Sequence, residues 1–369
     1  MTITTQAAVV ETGGAPFTLT QVELDEPRAD EVLVRMVAAG LCHTDLGVAS
    51  GGLPFPLPGV LGHEGAGVVE RVGSAVTSVA PGDHVLLSFT SCGSCGSCRG
   101  GHPAYCATWL PDNLIGGARR DGSSTVSRGG EPLGGHFFGQ SSFSRLAVAD
   151  ERSVVKVDPS APLETIAPLG CGVQTGVGAV WNVLRPGPGS TVVVTGSGAV
   201  GLSAVMAAAL TPALRIVAVD IVPARLDLAR KLGATHAVDA SSEDVTARIA
   251  EITGGAGADG VVETTGNVQV LRQAVDSLAA RGTCVVVGAP PFGTEVGLDV
   301  NGMLGGKTVT GLTLGDSETQ TFIPLLAAMV ADGRLPVGEL VTTYDFADIE
   351  RAVADVKSGA TIKPVLTFG

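Results

Sequence analysis

Three short stretches of this chain each supply one soft or borderline metal ligand. They are Gly40-Leu41-Cys42-His43-Thr44-Asp45, Gly62-His63-Glu64 and Leu169-Gly170-Cys171-Gly172. Zinc favours thiolate and imidazole, and a catalytic zinc keeps three protein ligands and one open position. Cys42, His63 and Cys171 meet that requirement. Two thiolates offset the charge of the dication, so the fourth place can take water or a hydroxyl-bearing ligand. Taken singly, these residues say little. A free cysteine is most often a small buried hydrophobe, which is the plain reading of Cys171 or Cys284 alone, and a lone histidine is more often structural. Two further motifs add the weight.

The first is Cys92, Cys95, Cys98 and Cys106, with glycine and serine between the first three. Short spacers let successive sulfurs curl around one ion, and the longer one returns the chain for the fourth corner of a tetrahedron. Four cysteines close the shell, so the lobe at about 92–106 reads as a structural zinc with no reactive position. An iron–sulfur cluster also takes four cysteines, but its characteristic spacings differ. A nucleic-acid-binding zinc ribbon shares the spacing, and the acidic chain opposes it.

The second is Gly196-Ser197-Gly198-Ala199-Val200-Gly201, directly after an apolar β-branched run at 190–195. A helix-like run, 202–210, and a second strand-like run, 215–219, follow and lead to Asp220. Glycines here allow a tight turn, close approach of backbone to a pyrophosphate, and close packing of helix on strand. Alone the motif is weak; strand before, helix after and an acid about 20 residues on make it a dinucleotide site. Asp220 can accept hydrogen bonds from ribose hydroxyls and would repel a 2′-phosphate, which favours NAD over NADP. Arg225 is the one nearby residue that opposes this.

The elements that must position these groups fall into two patterns. Residues 1 to about 90 read as short strands, such as 31–37 and 65–72, broken by Gly, Pro and Asp turns, which implies a barrel-like β domain. From about 173 strands and helices alternate, with helices expected at 223–232, 244–252 and 268–280 and strands at 237–239, 260–263, 283–288 and 308–314. That is a parallel sheet wrapped on both faces. The tail adds helices near 319–331 and 346–356 and a last strand at 362–368. Between the patterns, 107–145 is rich in Gly, Arg and Ser. It reads as a functional or disordered loop, in which Trp109, Phe137 and Phe138 either face a cleft or pin the loop down.

A chain of 369 residues exceeds what one core usually sustains. At 45% hydrophobic and 16% charged it is not disordered, and a net charge of -13 disfavours nucleic acid. No signal peptide is read in 1–12 and no apolar run is long enough for a membrane span. A cytoplasmic, reducing location is therefore expected, and metal is preferred over disulfides for the cysteines.

Together these residues resemble the zinc-containing medium-chain alcohol dehydrogenases, within them most nearly the aryl (benzyl-type) enzymes. The likeness runs through Gly-x-Cys-His-Thr-Asp, Gly-His-Glu-Gly-Ala-Gly, the four-cysteine lobe, Gly-Cys-Gly-x-x-Thr-Gly, the glycine loop and the closing Ile-Lys-Pro-Val-Leu-Thr-Phe. Two cysteines and a histidine are the known catalytic ligand set of alcohol dehydrogenases. The resemblance implies an α/β architecture: a GroES-like β-rich catalytic domain, 1–172 with 314–369, and a doubly wound Rossmann domain, 173–313. It implies two zinc ions per subunit, one catalytic and one structural, with NAD as cofactor, and a homodimer or homotetramer. It implies reversible hydride transfer between a primary, aryl or allylic, alcohol and NAD to give the aldehyde.

By the same resemblance Glu64 approaches the catalytic metal, Asp45 holds the second nitrogen of His63, and Thr44 hydrogen-bonds the substrate oxygen. His43 and Lys363 would touch the pyrophosphate. The relay histidine found in animal enzymes three positions after the threonine is replaced by Gly47, so no terminal base is assigned. Rival readings are a dehydrogenase of aliphatic or terpenoid alcohols or of a formaldehyde–thiol adduct, and, from another class, a non-catalytic zinc protein.

Overall fold

Thr191–Thr195 and Arg215–Asp220, on either side of the glycine loop, are strands, as their branched side chains favour. Every residue of Thr191–Thr195 is buried, which a strand covered on both faces requires. The structure, a computed structural model describing residues 2–369, places them in a six-stranded parallel sheet. Its order is His236–Asp239, Arg215–Asp220, Thr191–Thr195, Ala258–Glu263, Leu278–Val286, Thr308–Gly311. The strand order reverses beside Thr191–Thr195, and in such sheets ligands bind at the carboxyl ends of the strands at that switch point. The glycine loop begins there.

This sheet belongs to one of two units, Gly172–Ser317; the other is Met1–Cys171 with Glu318–Gly369. Within the first unit one expected helix is corrected. The helix over 268–280 stops at Asp276, because Leu278–Val286 is a strand. Leu278 pairs with Ala258, the register breaks, and Thr283 resumes pairing with Gly260; Arg281, at φ 64°, sits in the break. Propensity favoured a longer helix, and sheet pairing overrode it.

The other unit carries two β-sheets, one of five strands and one of seven. In the larger, Glu31–Gly40 pairs antiparallel with Glu64–Val72, with Gly40 opposite Glu64. The tail strand Lys363–Thr367 pairs antiparallel with the same Glu31–Gly40, with Val365 opposite Gly40. Gly40, Glu64 and Lys363 are thereby brought to one corner of the sheet. Among the described residues no helix is long and apolar enough to cross a membrane.

The stretch 107–145 is not a structureless loop. It holds a hairpin, Val126–Arg128 with Glu131–Leu133, that extends the five-stranded sheet. Arg119 anchors it, buried at 7% exposure, with hydrogen bonds of 2.6 and 2.9 Å to Glu31 and 2.7 Å to Asp25. Its Gly, Arg and Ser content hid this order because polar anchors, not apolar periodicity, hold it.

His136 in this stretch is buried, and burial pulls its imidazole down to about 4. The unfolded chain then takes up a proton there, near pH 6.5, before the folded protein does. His136 should therefore contribute a loss of stability as pH falls from about 6.5 toward about 4. Denaturant midpoints of His136→Gln should fall less steeply than wild type across that window; parallel slopes would contradict this.

Candidate active site

Cys42 caps the short helix His43–Ala49. Asp45, in its first turn, reaches back to accept the Cys42 amide at 2.9 Å, half of a reciprocal cap. The other Asp45 oxygen accepts the Gly62 amide at 3.0 Å and faces His63 Nδ1 at 3.1 Å. One carboxylate thus ties together the backbones carrying Cys42 and His63. Gly62 is required where it stands: its φ is +90°, and a Cβ would meet the Phe143 amide nitrogen at 2.5 Å.

Cys42, His63, Glu64 and Cys171 each present one ligand atom, all within 4.8 Å of one another. His63 Nε2 is buried and has no hydrogen-bond partner among the described residues. Such a nitrogen is costly to bury unmet, and a metal ion would satisfy it. Two sulfurs, an imidazole nitrogen and a nearby carboxylate suit zinc, so the residues fit the ion.

Among the protein groups alone the two cysteines share a proton unequally. The hydrogen bond from Cys171 lowers the Cys42 thiol far below its ordinary value, against burial and helped by the Lys363 charge. The same hydrogen bond, with burial, pushes Cys171 far up. Burial would lower His63, but the Asp45 charge and hydrogen bond outweigh it and hold the imidazole at about 10. A bound dication displaces such protons, since a coordinating thiol is deprotonated outright.

Lys363, expected at the pyrophosphate, is engaged within its own unit by Glu64. It is 3% exposed, and its Nζ donates to both Glu64 oxygens at 2.9 and 3.0 Å and to the Leu41 carbonyl at 3.3 Å. Burial raises the Glu64 carboxyl, partly offset by the Lys363 charge. His43 is exposed at the start of its helix. The Thr44 hydroxyl lies 3.8 Å from Cys42 Sγ.

Phe137 and Phe138 are buried and pack on His63. Phe138 stacks on its ring at 4.5 Å and Phe137 meets it edge-on at 5.3 Å. Trp109 in turn stands edge-on to Phe138 at 5.7 Å. These aromatics wall the candidate ligand from behind, and Phe137 and Phe138 have almost no exposed surface.

Cys92, Cys95, Cys98 and Cys106 also converge within 4.8 Å. Their sulfurs are 3.5 Å (Cys95 to Cys98) and 3.9 Å (Cys92 to Cys98) apart, too long for a disulfide at about 2.05 Å. Backbone amides point at them: Ser94 and Cys95 donate to Cys92 Sγ, Cys92 to Cys106 Sγ, Ala107 to Cys95 Sγ. The Ser94 amide foremost brings Cys92 down to about 5, whereas burial lifts Cys98 to about 12. The lobe is prepared for thiolates, as a structural metal needs.

In the other unit Gly196 turns at φ +90°, and a Cβ on Gly201 would lie 1.8 Å from the Gly196 carbonyl oxygen, so the helix Ala199–Ala209 packs directly on the turn. At Gly198 a Cβ would meet nothing within 4 Å among the described residues, leaving a cradle open at the amide end of that helix, as a dinucleotide phosphate needs. Asp220 accepts the Ser197 amide at 2.5 Å and the Ile221 and Val222 amides at 2.8 and 2.9 Å. It therefore fastens the glycine loop as well as presenting a carboxylate. Arg225 Nε is buried without a partner among the described residues. Thr264 was missed: its hydroxyl donates to the Thr195 carbonyl at 2.8 Å and approaches that of Gly196 at 3.2 Å. Gln140 and Ser88 were also missed; neither lies in a motif.

Comparison with known proteins agrees. Residues 28–159 match the family described as alcohol dehydrogenase GroES-like domain, and residues 199–329 match zinc-binding dehydrogenase. A geraniol dehydrogenase of Castellaniella defragrans is 44% identical over 369 residues, covering 99% of this chain and 98% of that protein. An alcohol dehydrogenase zinc-binding domain protein from Burkholderia ambifaria superposes with a TM-score of 0.97 at 52% identity. Benzyl alcohol dehydrogenase from Acinetobacter calcoaceticus does so with 0.96 at 43%. Both alignments cover 100% of each chain.

Removing Asp45 should loosen the first cluster. In competition with a chelator, Asp45→Ala should hold zinc about 10–100-fold more weakly there, the usual cost of losing a ligand's hydrogen-bond partner. Unchanged affinity would contradict the role given to Asp45.

Proposed function

The chain belongs to the zinc-binding alcohol dehydrogenases, and on that premise we propose that it oxidises primary alcohols of the aryl or allylic kind with NAD. The observation that carries the reading is the convergence of Cys42, His63 and Cys171, with Asp45 behind the histidine. The substrate class is supported by what two relatives' names share. Geraniol is an allylic and benzyl alcohol a benzylic primary alcohol, so either gives a conjugated aldehyde.

Cys42, His63 and Cys171 would hold the catalytic zinc with Glu64 at hand, and Cys92, Cys95, Cys98 and Cys106 a structural one. When bound, the catalytic ion supplies a Lewis acid that lowers the pKa of a hydroxyl, and the nicotinamide supplies the hydride acceptor. Asp45 keeps His63 Nδ1 occupied, so that Nε2 offers its lone pair to the site. Thr44, beside Cys42, holds the substrate hydroxyl's proton in a hydrogen bond. Beyond it the path lacks a histidine, and a Cβ on Gly47 would already lie 2.9 Å from Leu53 Cδ1. With Gly47 there, no side chain at that position can take the proton onward, and no terminal base is assigned.

NAD is favoured over NADP because the Asp220 carboxylate stands where a 2′-phosphate would be repelled, with Arg225 alone to oppose it. A homodimer or homotetramer belongs to the same proposal. Phe292, Val300 and Leu304, just before the sheet's edge strand Thr308–Gly311, are 65%, 75% and 78% exposed, the kind of apolar surface a partner covers.

Initial rates of NADH formation should be at least about tenfold higher with benzyl alcohol, cinnamyl alcohol or geraniol than with hexanol or ethanol, a difference of about 1.4 kcal/mol. A preference for hexanol would remove the substrate class and keep the zinc chemistry. Asp220→Ser should raise the NADP-to-NAD rate ratio at least about tenfold; no change would contradict the cofactor assignment.

A further inference from the structure

The antiparallel ladder between Glu64–Val72 and His84–Leu87 ends at the Ala66–Leu86 pair. Beyond that pair the two strands diverge, and the gap is filled by the side chain of Gln140, which is 1% exposed. Its Oε1 accepts the Gly65 amide at 3.1 Å. Its Nε2 donates to the His63 carbonyl at 3.0 Å and to the Ser88 carbonyl at 2.8 Å. Only this amide orientation works, because the reverse would set an oxygen against two carbonyl oxygens. The side chain thus behaves as a strand partner for the peptides flanking Glu64. Ser88 carries the connection on: its hydroxyl donates to the Gly170 carbonyl at 2.6 Å, one residue before Cys171.

The segment that delivers Gln140 is held in a costly backbone form. Phe138 and Ser141 are both in the left-handed region, at φ 52° and 49°, where residues other than glycine persist only if their surroundings fix them. Ser141 is fixed by its hydroxyl, which donates to the Val60 carbonyl at 2.7 Å and accepts the Phe137 amide at 2.9 Å.

We infer that Gln140 and Ser88 are positioning residues that lock the His63 and Cys171 backbones in a fixed relation for metal binding. Asp45 joins Cys42 to His63, and the Gln140–Ser88 bridge joins His63 to the residue before Cys171. The three ligands thus hang on one connected set of hydrogen bonds, all buried but the partly buried one at the Cys42 amide. This rests on those three residues binding zinc.

The test compares Gln140→Met, which keeps length and removes all three hydrogen bonds, with Ser88→Ala and the double variant, each zinc-loaded. Zinc release to a colorimetric chelator is followed from the two cysteine sites separately. Visible spectra of the cobalt-substituted proteins report the geometry at Cys42. Release from the Cys42 site should quicken about tenfold or more in Gln140→Met, with a changed cobalt spectrum. Ser88→Ala should shift both readouts in the same direction and add little to Gln140→Met, while release from the four-cysteine site stays at the wild-type rate. Unchanged release from the Cys42 site, or equal acceleration at both sites, would overturn the inference and leave a general packing role. Wild-type protein with no chelatable ion at Cys42 would instead remove the metal reading, and this inference with it.

Discussion

Burying charge is the constraint from which the rest of this structure follows. Asp45, His63 and Glu64 have no exposed surface and Lys363 almost none, and an unpaired ion in such a place costs several kcal/mol. Each is therefore paired. Asp45 faces His63, and Lys363 grips both oxygens of Glu64. What remains are the two cysteines, both partly exposed. A dication held there would offset the charge of the two thiolates, with His63 as a neutral ligand kept oriented by Asp45.

Such a cluster cannot be made by local sequence alone, and strand register makes it. Gly40 lies opposite Glu64 on one side and opposite Val365 on the other. The turn after Gly40 brings Cys42, the start of Glu64–Val72 brings His63 and Glu64, and the start of Lys363–Thr367 brings the lysine. A slip of one residue on either side would turn the side chains of the slipped strand to the opposite face of the sheet and part Lys363 from Glu64. The zinc-binding alcohol dehydrogenase fold, a GroES-like β unit with a Rossmann parallel sheet, is in this sense a device for holding register around buried charge.

What the sequence made legible follows from the same distinction. The four cysteines at 92–106 and the glycine loop at 196–201 are local, so their spacing alone described them. Cys42, His63 and Cys171 are distant but carry distinctive flanking residues. The Lys363–Glu64 pair is not legible in the sequence, because it is set by the pairing of Gly40 with Val365 and Glu64, which no spacing records. Gln140 was silent for a related reason: a glutamine among Phe, Gly and Ser has no pattern, and its role exists only where two strands diverge. The helix drawn through 268–280 failed where sheet pairing claimed Leu278.

The central claim is that zinc held by Cys42, His63 and Cys171 is the seat of alcohol oxidation. Its most direct test is the rate of NADH formation from benzyl alcohol as zinc is titrated into chelated protein whose four-cysteine site remains filled. The account predicts a rate that climbs in proportion to occupancy of the Cys42 site and stays at background throughout in Cys42→Ala. A full rate before any zinc is returned, or an undiminished rate in Cys42→Ala, would contradict it.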